Sequence, residues 1–495
     1  MSNLSEKTVN GKGDRAFFGH PKGLFTLFFT EFWERFSYYG MRAILLYYMY
    51  YEVTQGGLGL SQPVAMSIMS IYGSLVYMSG IIGGWLADRV LGTSKSVFYG
   101  GVLIMFGHIV LAIPGNLAMF FASMVLIVIG TGLLKPNVSS IVGDLYDVND
   151  NRRDAGFSIF YMGINLGGFI SPLIVGALMT TSFHLGFGVA AVGMFLGLIV
   201  YVATRKKYLG TAGTQVPNPL KDDEKKRVYS IIAIGFIVIA IFVAVGAFFN
   251  FLTIDGFVAF IGILGFVIPT IYFVTMYRSP KTSEIEQSRL LAFIPLFIAA
   301  VLFWVIAEQG STVLAVYADN RTNLEFMGIT WSPAWFQSFW PLFVIFLAPA
   351  FAVLWTKLGD RQPNTTQKFA LGLLAAGLSF VVILIPGYLG GTDALVNPLW
   401  LVLSIFFVAV GEMCLSPVGL SATTKLAPAA FSAQTMSLWF LSNAAAQALN
   451  AQLVKFYSED TEILYFGAIG GAAIILAVVL FLIAPVIQKF MRGIK

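Results

Sequence analysis

Residues 22–52 read KGLFTLFFTEFWERFSYYGMRAILLYYMYYE. A helix that crosses a bilayer needs about 20 mostly apolar residues, and this run is long enough, yet Glu31, Glu34, Arg35 and Arg42 interrupt it. Each ionised group near a helix centre costs at least about 2.5 to 3.5 kcal/mol unless it is paired or hydrated, so charges there mark function. The rest of the chain agrees with a membrane setting. Of its 495 residues 57% are hydrophobic and 11% charged, with a mean hydropathy of +0.80; soluble domains run at roughly 45–50% and about 25%. A soluble enzyme is not expected. The single Cys414 excludes a disulfide framework, and His20, His108 and His184 are too scattered to hold a metal. No metal and no cofactor is expected. A membrane-embedded enzyme would need a nucleophile with a base, or a metal cluster, and neither is present.

Working outward, long apolar runs separated by polar or Pro/Gly-rich punctuation predict fourteen spans. They lie near 22–52, 63–90, 96–114, 118–145, 155–180, 184–204, 229–251, 256–277, 289–317, 333–357, 367–387, 397–424, 430–456 and 462–488. With the N-terminus inside, 25 of the 30 Lys and Arg fall on the inner side, as the positive-inside rule requires. Both termini are therefore expected in the cytoplasm of a multi-pass cell-membrane protein. The formal charge of +5 then reflects orientation and contact with lipid, with no nucleic-acid partner implied. The first twenty residues are polar and suggest no cleavable signal.

The two ends of the chain echo each other. Phe32-Trp33 corresponds to Phe303-Trp304 at an offset of 271, Asp88-Arg89 to Asp360-Arg361 at 272, Pro136 to Pro417 at 281, and Asn165 to Asn443 at 278. Repeated halves are a transporter architecture. The expected organisation is a cytoplasmic segment 1–21, a six-helix bundle 22–204, a linker 205–228, two inserted helices 229–277, a linker 278–288, a second six-helix bundle 289–488 and a tail 489–495. Asp88 and Arg89, flanked by glycines, suggest a charge-assisted lock between neighbouring helices at the inner end of span 2.

Seven ionisable groups sit inside apolar runs: Glu31, Glu34, Arg35, Arg42, Lys135, Glu308 and Glu412. Glu31, Glu34 and Arg35 share one helical face, and Arg42 lies two turns on. Four carboxylates face three cations, which leaves one carboxylate for a proton. The plainer reading of the same stripe is an ion network tying helices together. A solute carrying both an ammonium and a carboxylate would satisfy both signs, so a zwitterion is the expected cargo. Tyr38, Tyr39, Tyr77, Trp304 and Trp439 lie at the depth of the charges. The buried amides Asn165 and Asn443 need partners. His108 reads as an interior histidine with its hydrogen bonds satisfied.

Glu31-Phe-Trp-Glu34-Arg35-Phe36 resembles a signature of the proton-dependent oligopeptide transporters, a branch of the major facilitator superfamily. Gly83-Gly84-Trp85-Leu86-Ala87-Asp88 and Phe157-Ser-Ile-Phe160-Tyr161-Met-Gly-Ile-Asn165-Leu-Gly167 resemble two further signatures. The resemblance implies an all-α major facilitator fold of two six-helix bundles plus two inserted helices, and proton-coupled import of di- and tripeptides by a monomer. It implies that Arg35 and Lys135 hold the peptide carboxylate and Glu412 the amino terminus. Tyr38, Tyr39, Tyr77, Asn165, Trp304, Trp439 and Ser442 or Asn443 would line the pocket. Glu308 would exchange with Arg42 as a proton-responsive gate, and Glu31 and Glu34 would couple protons together with Lys135. Mammalian relatives carry a histidine on the second helix; span 2 here has none, so carboxylates must carry the proton. Where the family commonly has an asparagine, this chain has Trp340, between Phe339 and Pro341, which implies altered specificity. The same fold moves nitrate and other small anions in plant relatives, but Glu412 would repel an anion.

Overall fold

The computed structural model describes residues 17–147, 150, 152–248 and 253–494, and is helical nearly throughout. Residues 1–16, most of the segment expected before the first span, lie outside the described residues. The helices are α1 (Lys22–Tyr50), α2 (Gln62–Leu86), α3 (Thr93–Ala112), α4 (Leu117–Asp144), α5 (Arg153–Met179), α6 (Phe183–Thr204), α7 (Asp222–Phe248) and α8 (Ile254–Arg278). They continue as α9 (Glu284–Ala307), α10 (Val313–Asn320), α11 (Phe339–Leu358), α12 (Thr365–Gly390), α13 (Leu399–Leu426), α14 (Ser432–Leu453) and α15 (Glu462–Phe490). Strands β1 (Glu325–Phe326) and β2 (Ile329–Thr330) make a small antiparallel hairpin. Its turn residues Met327 and Gly328 both have positive φ, the backbone that two-residue hairpin turns favour.

Eleven stretches among the described residues are long and apolar enough to cross a membrane, α9 and α10 counting as one. The chain is thus a multi-pass membrane protein. Helices α1 and α14 fall outside the eleven because they carry the polar groups described below. Side chains such as Ile263, Phe266 and Ile271 on α8 and Phe346 and Val353 on α11 are exposed, a surface suited to lipid.

The contacts divide the chain into two compact units. One holds the described residues up to Met41 and those of Met78–Gly256; the other holds Arg42–Tyr77 and the described residues from Phe257 on. In the first, α3 packs on α4 and α6, around buried Val97, Ile104, Leu134, Val138, Met194 and Leu198. Helices in a bilayer associate where small residues let backbones meet. A Cβ built on Gly100 would stand 2.6 Å from the Gly130 carbonyl oxygen, and one on Gly130 would stand 2.7 Å from that of Gly100. In the second unit α12 packs on α13 and α15, and the same reciprocal crossing recurs: Gly372 to the Gly411 carbonyl at 2.9 Å and Gly411 to that of Gly372 at 2.7 Å. These glycines are offset by 272 and 281 residues, the offsets already seen for Asp88/Asp360 and Pro136/Pro417. Internal repetition therefore extends to which backbones touch.

Arg89, just past α2, makes a charge-assisted contact to another helix, as expected of it, and that helix is α7. Its Nη2 lies 2.5 Å from Glu224 Oε2 at the start of α7, and Asn218 N donates to the Asp88 carbonyl at 2.9 Å, so this corner fastens the linker. His108 is fully buried and neither ring nitrogen has a hydrogen-bond partner among the described residues, which corrects the expectation of a satisfied histidine.

Ahead of α1, buried His20 pairs its Nδ1 with Tyr146 Oη at 2.9 Å. Arg152 reaches the Gly19 carbonyl at 3.3 Å and grips Asp150, whose carboxyl it holds down at about 2. Burial, then the Arg152 charge, lower the His20 pKa below its ordinary 6.5. A lowered histidine favours the neutral folded form, so docking is complete above about 6.5 and weakens as pH falls below it. Acidification from about pH 7.5 to 5.5 should lower the protection of amides 17–20, measured relative to their intrinsic exchange rates at each pH, a response that His20→Gln flattens.

Valine at Gly100 or Gly372 should destabilise the protein by roughly 1–3 kcal/mol each, read as a lower melting temperature. Gly84→Val should leave it unchanged, because nothing lies within 4 Å of the added Cβ.

Candidate functional site

The first unit carries one charge set on α1. Glycines on α5 and α6 let those helices close on it: a Cβ on Gly167 would stand 2.6 Å from the Phe32 carbonyl, and one on Gly197 3.1 Å from Trp33 Cβ. The carboxylates and guanidinium are thereby removed from solvent, with Glu31 and Arg35 each 2% exposed and Glu34 not at all. Arg35 Nη2 donates to Glu34 Oε1 at 2.8 Å, its Nε donates to Glu34 Oε2, and Nε also lies 3.1 Å from Glu31 Oε1. The Glu31 contact follows from four-residue spacing. The Glu34 chelate joins sequence neighbours, which that spacing does not foresee; the long arginine side chain folds back to make it.

Arg35 also lies over the rings of Tyr38 and Tyr39, 5.1 and 5.9 Å from their centroids. Lys135, half-buried on α4, is near enough to Glu31 for their charges to interact. Glu31 Oε2 is buried and has no hydrogen-bond donor among the described residues. Asn165 is apart from this set in its bonding, its amide donating at 2.9 Å to the Tyr161 carbonyl one turn back in α5.

The second unit carries two sets. In the first, Arg42 Nη2 meets Glu308 Oε2 at 2.5 Å and donates to Ser311 Oγ at 2.8 Å. Glu308 stands at the C-terminal cap of α9, where a 3₁₀ turn leads to α10. A negative charge is unfavourable at a helix C-terminus, so Arg42 answers the helix as well as the carboxylate. Asn443 Nδ2 donates to Glu308 Oε1 at 2.9 Å and Gln447 Nε2 to Oε2 at 2.7 Å. Asn443, expected to line a pocket, thus bonds to Glu308. Asn450 Oδ1 accepts from Gln309 at 3.2 Å, and Tyr465 donates to Gln309 at 2.9 Å.

Gln447 and Asn450 were not foreseen. Their signal is visible all the same, as amides at 443, 447 and 450 fall on one helical face. Also unforeseen is Asp319, which accepts from Tyr50 at 2.5 Å and Tyr51 at 2.9 Å. So is Arg321, whose Nε lies 2.9 Å from buried Glu462.

The other set is built on α13. Glu412 Oε2 accepts the Trp340 indole N–H at 2.7 Å, and no ion pair to Glu412 occurs among the described residues. Gly419 makes room for Trp439, since a Cβ there would stand 2.0 Å from the indole; Trp439 also meets Phe369 edge-on at 6.2 Å. Ser442 is fully buried and donates to the Trp439 carbonyl at 2.6 Å. Trp304 is half-buried beside Phe303, and Tyr77 is half-buried on α2. Removing one partner of a buried ion pair costs about 3–5 kcal/mol. Arg42→Met should therefore lower the melting temperature markedly, while Glu308→Gln, which removes the charge and keeps hydrogen-bonding atoms, should be milder.

Residues 94–484 match the sequence profile described as the POT family. An uncharacterized transporter of Bacillus subtilis, YclF, is 60% identical, covering 99% of both chains. A di-/tripeptide transporter of Lactococcus lactis subsp. cremoris is 46% identical, covering 98% of this chain and 99% of that one. The crystal structure of a peptide transporter POT in complex with sulfate superposes with a TM-score of 0.94 at 67% identity, covering 98% of this chain and all of that one. A POT family transporter in complex with 5-aminolevulinic acid superposes with a TM-score of 0.92 at 46% identity, covering 96% and 98%. These relatives are transporters rather than enzymes, and the charged, membrane-embedded helices described above belong to the same kind of protein: the chain is a member of the POT family.

Proposed function

We propose that the chain is a proton-coupled symporter that imports di- and tripeptides by alternating access. The observation that carries this reading is the near full-length similarity to proteins named as di-/tripeptide transporters, at 46% identity. A related transporter has also been solved with a thioalcohol-conjugated peptide. The architecture we infer has fourteen spans, the eleven apolar ones plus α1, α7 and α14. They form bundles over 22–204 and 289–488 with two inserted helices over 229–277, and both termini are cytoplasmic.

In this reading Arg35 and Lys135 hold the peptide carboxylate and Glu412 holds its ammonium, with Tyr38, Tyr39, Tyr77, Asn165, Trp304, Trp439 and Ser442 around them. Glu31 takes the coupling proton. Its Oε1 is engaged by Arg35 while Oε2 has no donor among the described residues, so a proton there adds a hydrogen-bonding atom without displacing one. Glu34 remains chelated and keeps Arg35 in place. Protonation of Glu308 would weaken its hold on Arg42 and leave Asn443 and Gln447 to keep the carboxyl bonded. A cargo restricted to anions such as nitrate is disfavoured, because Glu412 has a neutral N–H donor and no cation among the described residues to offset its charge.

Uptake of labelled dialanine into proteoliposomes, with and without an inward proton gradient, tests the reading. Wild type should accumulate the peptide only with the gradient. Glu31→Gln should lose that accumulation while counterflow exchange survives. Absence of uptake by folded wild type would point to another cargo.

A further inference from the structure

Two kinds of group hold Glu308, charged and neutral. The charged groups that bear on it among the described residues are Arg42 of α1, which meets Oε2, and Glu412 of α13, whose carboxylate interacts with it. The neutral ones come from α14, where Asn443 donates to Oε1 at 2.9 Å and Gln447 to Oε2 at 2.7 Å. Neither α14 nor α2 contains an acidic or basic residue. Gln447 is 1% exposed, and its amide lies against the backbone of α2. A Cβ built on Gly73 would stand 2.5 Å from Nε2, 2.7 Å from Cδ and 3.0 Å from Oε1, so the amide fits there only because residue 73 has no side chain. On either side, hydroxyls of α2 join the same two helices. Ser74 Oγ donates to the Ala444 carbonyl at 2.9 Å, and Ser67 Oγ to that of Ala451 at 2.8 Å.

An amide packed this closely on a neighbouring backbone keeps its plane, and the end that meets an ionised Glu308 has to be the N–H, since its carbonyl would set oxygen against oxygen. A donor aimed at a carboxylate favours the charged form. Turned over, the same amide accepts from a protonated carboxyl, but a hydrogen bond to an ionised group is roughly twice as strong as a neutral one, so the balance stays with the charge. We propose that Gln447 is a positioning residue for Glu308: seated on α2 at Gly73, its amide holds Glu308 in the charged form and so sets how acidic the medium must become before Glu308 releases Arg42. The coupling is reciprocal. Parting α2 from α14 removes the seat and makes Glu308 easier to protonate, and protonating Glu308 weakens the contact between those helices. The inference rests on the reading of Glu308 as the proton-responsive partner of Arg42.

The test is an infrared pH titration of the purified full-length protein in lipid, following the carboxylic-acid C=O stretch, with Glu308→Gln identifying the part of the signal that belongs to Glu308. This readout needs no transport. Gln447→Met, which keeps the length of the side chain and removes the donor, should move the Glu308 midpoint to higher pH by about one unit, the difference between a charged and a neutral hydrogen bond. Gly73→Ala, which displaces the amide without touching Glu308, should move it in the same direction. Gly80→Ala, the same change on the same helix where nothing lies within 4 Å of the added Cβ, should leave it in place. The external pH of half-maximal dialanine uptake in proteoliposomes should rise together with the infrared midpoint. A Gln447→Met protein that titrates at the wild-type pH would overturn the proposal, and a folded Gly73→Ala protein that does so would overturn the seat on α2. If Glu308→Gln removes no titrating band from the wild-type spectrum, the reading of Glu308 as proton-responsive fails and the proposal with it. If the midpoints move as expected and no peptide accumulates, the positioning role stands and the transport reading is what fails.

Discussion

A guanidinium inside an apolar helix must be met by carboxylates before the rest of the molecule can settle around it. In the hydrocarbon layer water does not compensate for an absent partner, and desolvation of a lone charge costs more than any single packing contact returns. Arg35 meets this requirement within its own helix, chelated by Glu34 and touched by Glu31. Arg42, two turns on, finds no carboxylate there and depends on Glu308. Between them these two arginines determine which side chains of α1 are available for chemistry. Glu34 is committed to Arg35, while Glu31 keeps one oxygen with no hydrogen-bond donor among the described residues. Hydrogen bonds from Asn443 and Gln447 make Glu308 able to stay bonded whether or not it is charged.

The neutral framework that holds these groups obeys a second rule, close backbone approach at glycine. The crossing of Gly100 with Gly130 and that of Gly372 with Gly411 place carbonyl oxygens where a side chain would otherwise stand. Hydrophobicity alone gives lipid-embedded helices no reason to prefer one another over lipid, so such contacts supply the specificity that water-driven burial supplies elsewhere. That the same contact appears twice at matching offsets ties the weak sequence echo of Asp88/Asp360 and Pro136/Pro417 to a packing requirement.

Much of this was legible in the sequence, because membrane segments announce themselves by length and because charges are conspicuous against an apolar background. The Glu31–Arg35 contact was readable from four-residue spacing. The Glu34–Arg35 chelate was not, since neighbours in sequence point apart on a helix and only the reach of arginine brings them together. The partnership of Asn443 with Glu308 spans 135 positions, and no local pattern encodes it; the run of amides at 443, 447 and 450 said only that α14 has a polar face. Trp340 was noticed as a departure from a family pattern, but its bond to Glu412 depends on the packing of α11 against α13. The count of apolar spans was least legible where function is densest, since the polar groups of α1 and α14 dilute the very signal by which spans are recognised.

The distance along the chain between Arg42 and Glu308 has a consequence for biosynthesis. The two residues are 266 positions apart, and ribosomes add about 5–20 residues per second, so Glu308 is made roughly 13–53 s after Arg42. Arg35 has both of its carboxylates as soon as α1 itself is synthesised. Arg42 must wait, in α1, for a partner made more than half the chain later. During that interval its charge has to be sheltered by water, by lipid headgroups or by the insertion machinery.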